Sequence, residues 1–509
     1  MDLITLQTFV PEIFLSICIL FQLVFNSILV TNIKYNFPIL NKEVFAQTFF
    51  ILFCLLLLLL NLKVEAHFSN FLFINDLGTC YTKILFVFSC LFFLLSVLRS
   101  FTIQKLNFFE FFSLLLLAIL SLLLLISVSD MMSAYLVIEM QALSFYVLSA
   151  FKRNSAFSSE AGLKYFIIGS FMSGIFLFGC SLIYGLLGTL NFNALSLLFH
   201  FKFNGDYLNF YIILSIGISL ITFFLLFKLA IAPFHFWAPD VYEGSPLSTT
   251  IIFSILPKLG IFSFFIRWLS IISSNFSEIF HILFYFGILS VFIGSFFAIR
   301  QKRIKRLLIY SSIAQGGFLI VGLSVNTLNS LIAVYFFLVV YIITSILLWS
   351  HVSFFYSFQN KIELFNGLSN KSLFLVNLAN FFKVNILWSF SFVLIFFSLA
   401  GVPPLSGFLS KIFILFSILE EKNIFGSLLL ILISAVSVFY YLRILKILFF
   451  ESKEELKRNN KFQVLVFDSY SESDCLVTSF LLFLLVFIFF FPCCLILICE
   501  QIVMGSTFF

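Results

Sequence analysis

From Leu307 to Asn360 the chain carries no Asp, Glu, Lys or Arg. A helix needs about 20 apolar residues to cross the hydrocarbon core of a bilayer, so this stretch is long enough for two crossings. Its natural break is the polar group Asn326-Thr327-Leu328-Asn329. Similar runs fill the rest of the chain. Ile13 to Ile33, Val44 to Leu62, Ile84 to Leu98, Phe111 to Ser129, Tyr165 to Phe201, Ile279 to Ile299, Asn423 to Leu442 and Cys475 to Cys499 are free of those charges. Met131 to Phe151 holds Glu139, Tyr207 to Pro239 holds Lys228, Gly244 to Ser277 holds Lys258 and Arg267, and Val384 to Leu419 holds Lys411. The runs are continuous and long, without the alternation of a membrane β-barrel. Only helices satisfy their own backbone at that length in lipid. The expected fold is therefore all-α, a polytopic integral membrane protein with about fourteen transmembrane helices.

Composition agrees. Apolar residues make up 62% and charged residues 10%, against about 45–50% and about 25% in soluble domains. Lipid must be the main solvent. The net charge of +6 sits mostly in loops, with no basic groove and interleaved aromatics, so nucleic acid is not an expected partner. Those loops divide unevenly. One side carries Lys152-Arg153, the cluster from Arg300 to Arg306 and the cluster from Lys453 to Lys461; the other carries Lys63, Lys83, Lys202 and Lys422. The positive-inside rule puts the rich side in the cytoplasm, or in the matrix of a mitochondrion, with both termini opposite. Glu451 to Asp474 reads as a solvated loop. The cysteines are scattered without a CxxC pair, which argues against metal or iron–sulfur ligation. The N-terminus shows no basic region and no cleavage site of a targeting peptide. That absence, with 80 phenylalanines suggesting an AT-rich genome, points to an organelle-encoded protein.

A charge held at mid-bilayer costs about 2.5–3.5 kcal/mol on insertion scales, so the charges inside the spans are the functional candidates. Glu139 lies near the middle of its span. Lys228, Lys258 and Lys411 are deep in theirs, and a lysine taken out of water exchanges its proton far more readily than a surface lysine. Lys164 stands at the start of its span. Arg267 keeps its proton and reads as a snorkelling or paired residue. Two spans are too long and are interrupted by proline, at Pro233 and at Pro403-Pro404, each within about eight residues of a buried lysine. Proline removes a backbone donor, and matching broken helices in two halves mark inverted repeats around an ion pathway. The expected division is an N-terminal three-helix segment (1–106), one five-helix repeat (107–277), a second inverted repeat (278–450), and a polar loop with a last helix (451–509). His235 sits beside the first break and is a relay candidate. His67, His200, His281 and His351 read as peripheral.

The stretch Ala232-Pro-Phe-His-Phe-Trp-Ala-Pro-Asp-Val-Tyr-Glu-Gly-Ser-Pro246 resembles a motif of the chain 2 family of antiporter-like membrane subunits in respiratory NADH:ubiquinone oxidoreductase (complex I). Asp240-Val-Tyr-Glu-Gly244 is the form of chain 2, where chains 4 and 5 usually place a histidine soon after Pro-Asp. Arg306 to Gln315 and Leu399 to Lys411 match as well, with Gln315 where histidine is common. The resemblance covers nearly the whole chain.

It implies that Glu139 pairs with Lys228, that Lys164 modulates the pair, that Lys258 links the halves, and that Lys411 faces a second half-channel, with His235 and Tyr341 as further relay members. It also implies that this chain holds no cofactor. NADH, FMN, iron–sulfur clusters and ubiquinone would bind other subunits. The expected partners are the neighbouring antiporter-like chains, the small membrane subunits beside them and the lipid bilayer. The expected function is proton translocation coupled to NADH oxidation in the mitochondrial inner membrane. The competing readings are a subunit of a sodium/proton antiporter, a non-pumping structural subunit, and a photosynthetic relative in a chloroplast membrane.

Overall fold

The computed structural model describes residues 8–31, 37–62, 66–68, 72–104, 109–152, 154–200, 208–273, 275–366, 374–379, 381–451 and 472–506. Helices α1 (Val10–Thr31) and α2 (Phe37–Asn61) are followed by a short antiparallel hairpin of β1 (Ala66–Phe68) and β2 (Phe73–Asn75), outside the apolar runs. Then come α3 (Leu77–Gln104), α4 (Glu110–Ser127), α5 (Met131–Ser149), α6 (Ala156–Leu187), the short α7 (Phe192–His200), α8 (Leu208–Lys228), α9 (Trp237–Gly244) and α10 (Leu247–Ile272). The second half holds α11 (Ser277–Arg300), α12 (Ile304–Val325), α13 (Leu328–Asn366), α14 (Ile386–Ala400), α15 (Ser406–Glu420) and α16 (Ile424–Phe450). Two bent helices, α17 (Glu472–Phe490) and α18 (Cys493–Ser506), end the described chain.

The boundaries follow ordinary end chemistry. Asp130 caps α5 by accepting from the amides of Met132 and Ser133, which fills donors that a helix start leaves open. Asn326 closes α12 at φ 51°, a left-handed position that asparagine tolerates. That is the break expected in the long uncharged run. Helix α10 is buried along nearly its whole length, because α3, α4 and α13 all pack on it. The outward faces carry exposed apolar side chains such as Phe21, Phe171, Tyr285 and Phe425, as lipid-facing surfaces do.

Twelve described helices are long and apolar enough to cross a membrane, or thirteen with the bent α17–α18 pair. The other expected span, Val384 to Leu419, is divided between α14 and α15, each too short to cross alone.

Three expectations need correction. The last run is not one straight helix: α17 and α18 meet at 87°, where Pro492 cannot donate to the helical ladder. Lys83 is not a loop residue of the sparsely charged side. It is buried in α3 and bound to Glu12 of α1 at 2.5 Å, an acid too distant in sequence to be matched to it by reading along the chain. His351 is not peripheral. It is fully buried in α13, with Nδ1 2.8 Å from the Leu347 carbonyl and Nε2 2.6 Å from the Ser391 hydroxyl of α14. His281 is exposed. Lys63, Arg153, Lys202, the cluster from Lys453 to Lys461, most of the Glu451 to Asp474 loop, and the side chains of His67 and His200 lie outside the described residues.

Candidate functional site

Helix α8 stops at Lys228, and the chain turns through Ala230 at φ 57° and a cis Ala232-Pro233 bond before α9 begins. The carbonyls left open at the end of α8 find partners locally. Leu225, Leu226 and Phe227 accept from the amides of Leu229, Ile231 and Ala230. The Trp237 indole also donates to the Phe227 carbonyl at 3.0 Å. Lys228 is thus held at a break that is sealed by protein. Its Nζ lies 5.4 Å from the Phe224 ring centre, and it makes no hydrogen bond or ion pair with a described residue. Glu139, on α5, is close enough to act on it electrostatically but not to touch it. One Glu139 oxygen, Oε1, is buried without a hydrogen-bond partner. His235, in the turn, is buried with Nδ1 likewise unpartnered.

Aromatic rings fill the space between these helices. Tyr146 of α5 meets Tyr165 of α6 edge-on at 4.9 Å, and Tyr165 stacks on Trp237 at 4.9 Å and 12°. Gly169 leaves room for the Tyr146 hydroxyl, since any Cβ there would collide with it. The Glu139 helix is thereby joined through rings to the residue that caps the Lys228 break.

The two other buried lysines are better supported. Lys258 Nζ donates to the Tyr341 hydroxyl at 2.7 Å and to the Ser312 carbonyl at 3.3 Å, and the Tyr341 hydroxyl donates to the Ser254 carbonyl at 3.3 Å. Lys258 is on α10 and Tyr341 on α13, so this bond joins the first half of the chain to the second. Lys411 Nζ donates to the carbonyls of Leu399 and Ala400, each at 2.9 Å. These are open C-terminal carbonyls of α14, which carry the negative end of its dipole. A hydrogen bond to a charged group contributes about 1.5–3 kcal/mol, so two offset the insertion cost of about 2.5–3.5 kcal/mol. Gln315 Nε2 shares the Leu399 carbonyl at 3.2 Å. Gly401, at φ 82°, ends α14, and a Cβ there would stand 3.0 Å from Lys411 Cδ. A cavity of about 10 Å³, room for one water, lies between Tyr341 and Lys411 and is lined also by Gln315, Thr344, Ser398 and Ser410.

Lys164 stands apart from this line. Its side chain is 45% exposed and bridges Glu160 at 2.7 Å and Asp240 at 3.7 Å. It opens into a cavity of about 610 Å³ shared with Glu243, Arg303 and Arg306. Arg306 binds Asp240 at 3.1 Å, and both Arg303 and Arg306 bind Glu243. Arg267 is buried, with Nη1 3.4 Å from the Val128 carbonyl and Asp76 within electrostatic reach. Among the described residues no group of three or more His, Cys, Asp or Glu is placed to hold a metal ion.

Residues 128–437 match the family model described as NADH:quinone oxidoreductase/Mrp antiporter, transmembrane. The chain belongs to this family. It is 34% identical over 500 residues to NADH-ubiquinone oxidoreductase chain 2 of Marchantia polymorpha, with 96% of each chain covered. It is 33% identical over 458 residues to NADH-quinone oxidoreductase subunit N of Pelagibacter ubique, covering 88% of this chain and 91% of the relative. A chain of respiratory complex I from Thermus thermophilus shares its fold, with a TM-score of 0.73 at 23% identity over 95% of this chain and 97% of that one.

For this member of the NADH:quinone oxidoreductase/Mrp antiporter family, reading along the chain missed the tyrosines around Glu139. Tyr135, Glu139 and Tyr146 stand four and seven residues apart, one face of a helix, so periodicity around the lone acid was the available signal. It also missed the second use of the basic loop. Arg303 and Arg306, expected there only to orient the chain, clamp α9 to the start of α12. Such partly exposed pairs are worth about 0.2–1 kcal/mol each. A double-mutant cycle of Asp240→Asn and Arg306→Gln on the thermal midpoint of the purified complex is expected to give a coupling in that range. A coupling of zero would mean that the clamp is an incidental surface pair. Gly401→Ala is expected to lower stability by about 1–2 kcal/mol, because a side chain is strained in that left-handed position; the same thermal assay reads it.

Proposed function

We propose that the chain is a proton-translocating membrane subunit of a mitochondrial NADH:ubiquinone oxidoreductase, lodged in the inner membrane with both termini toward the intermembrane space. Electron transfer from NADH to ubiquinone belongs to other subunits, and the neighbours are other antiporter-like and small membrane subunits. The observation that carries the reading is the buried line on either side of the Lys258–Tyr341 bond. Lys228 stands at one broken helix, Lys411 at the other, and between them the Lys258 amine of α10 donates to the Tyr341 hydroxyl of α13, two groups both able to pass a proton.

In this reading the Glu139 carboxylate supplies most of the support for the Lys228 charge, since no described residue hydrogen-bonds that ammonium. A shift of Glu139 therefore releases the Lys228 proton first. Buried charges interact by several kcal/mol at short range even with substantial screening, enough to drive such a step. The proton passes by way of Lys258 and Tyr341 across the small cavity to Lys411, with His235 as a relay beside the first break. Lys164 acts on the pair through Asp240 in the first turn of α9 and not by direct contact. Residues 107–277 and 278–450 act as two repeats, each with one broken helix.

The test is Lys228→Met in the assembled complex, with proton uptake and NADH oxidation followed in the same vesicles. Loss of pumping with intact assembly is expected. Unchanged pumping would leave a structural subunit with buried pairs. Pumping that requires sodium would favour the antiporter reading of the same residues.

A further inference from the structure

The N-terminal segment carries a charged cluster that the pathway above does not use. Glu12 of α1 and Lys83 of α3 form an ion pair at 2.5 Å, with side chains 6% and 2% exposed. Lys83 also donates to the Asn75 side-chain oxygen of β2 at 2.5 Å, and Asn75 in turn donates to the Thr8 carbonyl at 2.8 Å. The second oxygen of Glu12, Oε2, is buried with no hydrogen-bond partner.

The hairpin ties this pair to the helix that carries Lys258. Phe73 of β2 bridges Val128, and the Val128 carbonyl accepts from Arg267 of α10. Asp76, directly after β2, acts electrostatically on Arg267. Asp76, Lys83 and Glu12 all act on the Cys80 thiol between them. Two acids and two bases, from three helices and the β2–α3 junction, are thus gathered under one hairpin, where α10 approaches its end. Lys258 lies nine residues earlier on that helix, about 13 Å at 1.5 Å per residue.

A clamp alone would not need this chemistry. Well-packed apolar residues hold helices as firmly as a buried ion pair, and a structural carboxylate normally has both oxygens satisfied. We propose that Glu12 and Lys83 form a further proton-exchange station, through which protons on the Lys258 line pass to the aqueous face beneath the hairpin. The Lys83 ammonium gives one proton to the Glu12 carboxylate, leaving a neutral amine and a carboxylic acid. The acid loses that proton to water, and the amine takes up the next one, which restores the charged pair. Arg267 and Asp76 keep their charges and hold the field between this station and α10.

The inference rests on the proton-translocating reading, so the experiment separates the two. Lys83→Arg keeps the charge and the bond to Glu12 but cannot give up a proton at working pH. In the full complex, reconstituted in vesicles, this variant is expected to assemble and to lose as large a share of the protons moved per NADH oxidised as Lys228→Met does. An unchanged ratio for Lys83→Arg beside a reduced ratio for Lys228→Met overturns the station alone. An unchanged ratio for both overturns the translocation reading. If Lys83→Arg fails to assemble, Glu12→Gln with Lys83→Gln preserves a neutral hydrogen-bonded pair. Assembly of that double variant with a reduced ratio supports the station. Assembly with a normal ratio, or no assembly, makes the pair a structural lock and overturns it.

Discussion

A backbone that leaves its helical ladder inside a hydrocarbon layer must find its partners within the protein. That constraint organises the whole bundle. The first proline break is largely enclosed by protein, whereas Pro403 and Pro404 are exposed at the second; in both, the groups that the break frees are put to use. The end of α8 is closed by its own turn and by the Trp237 indole. The end of α14 is left open toward Lys411, whose ammonium takes two carbonyls in place of water. The same defect in the ladder yields a sealed site in one half and a charged anchor in the other.

The three buried lysines consequently differ in their surroundings although they look alike in sequence. Lys411 has two carbonyls and Lys258 a hydroxyl and a carbonyl. Lys228 has an aromatic ring and a carboxylate beyond bonding distance. Around these lysines the packing is aromatic at Tyr146, Tyr165 and Trp237 and ionic at the partly exposed Asp240, Glu243, Arg303 and Arg306.

Much of this was legible along the chain. Apolar runs of about twenty residues became helices, because lipid leaves the backbone no other solution. Asn326, Pro233 and Pro403-Pro404 interrupted helices where local chemistry required it. Glu139, Lys228, Lys258 and Lys411 stood out because a charge in an apolar run is expensive wherever the run ends up. Pro492 was legible in the same way and was passed over, because the run around it was long enough for one span.

What the sequence by itself determined is therefore the set of elements, their breaks and the charges buried within them, all of which depend on neighbours within a turn or two. Only the tertiary structure decided which charge meets which. Glu12 and Lys83 are 71 positions apart, Lys258 and Tyr341 are 83 apart, and Lys164 faces Asp240 and not Glu139. No periodicity carries that information. It comes from how the helices pack, and packing is set by the fit of whole faces against one another.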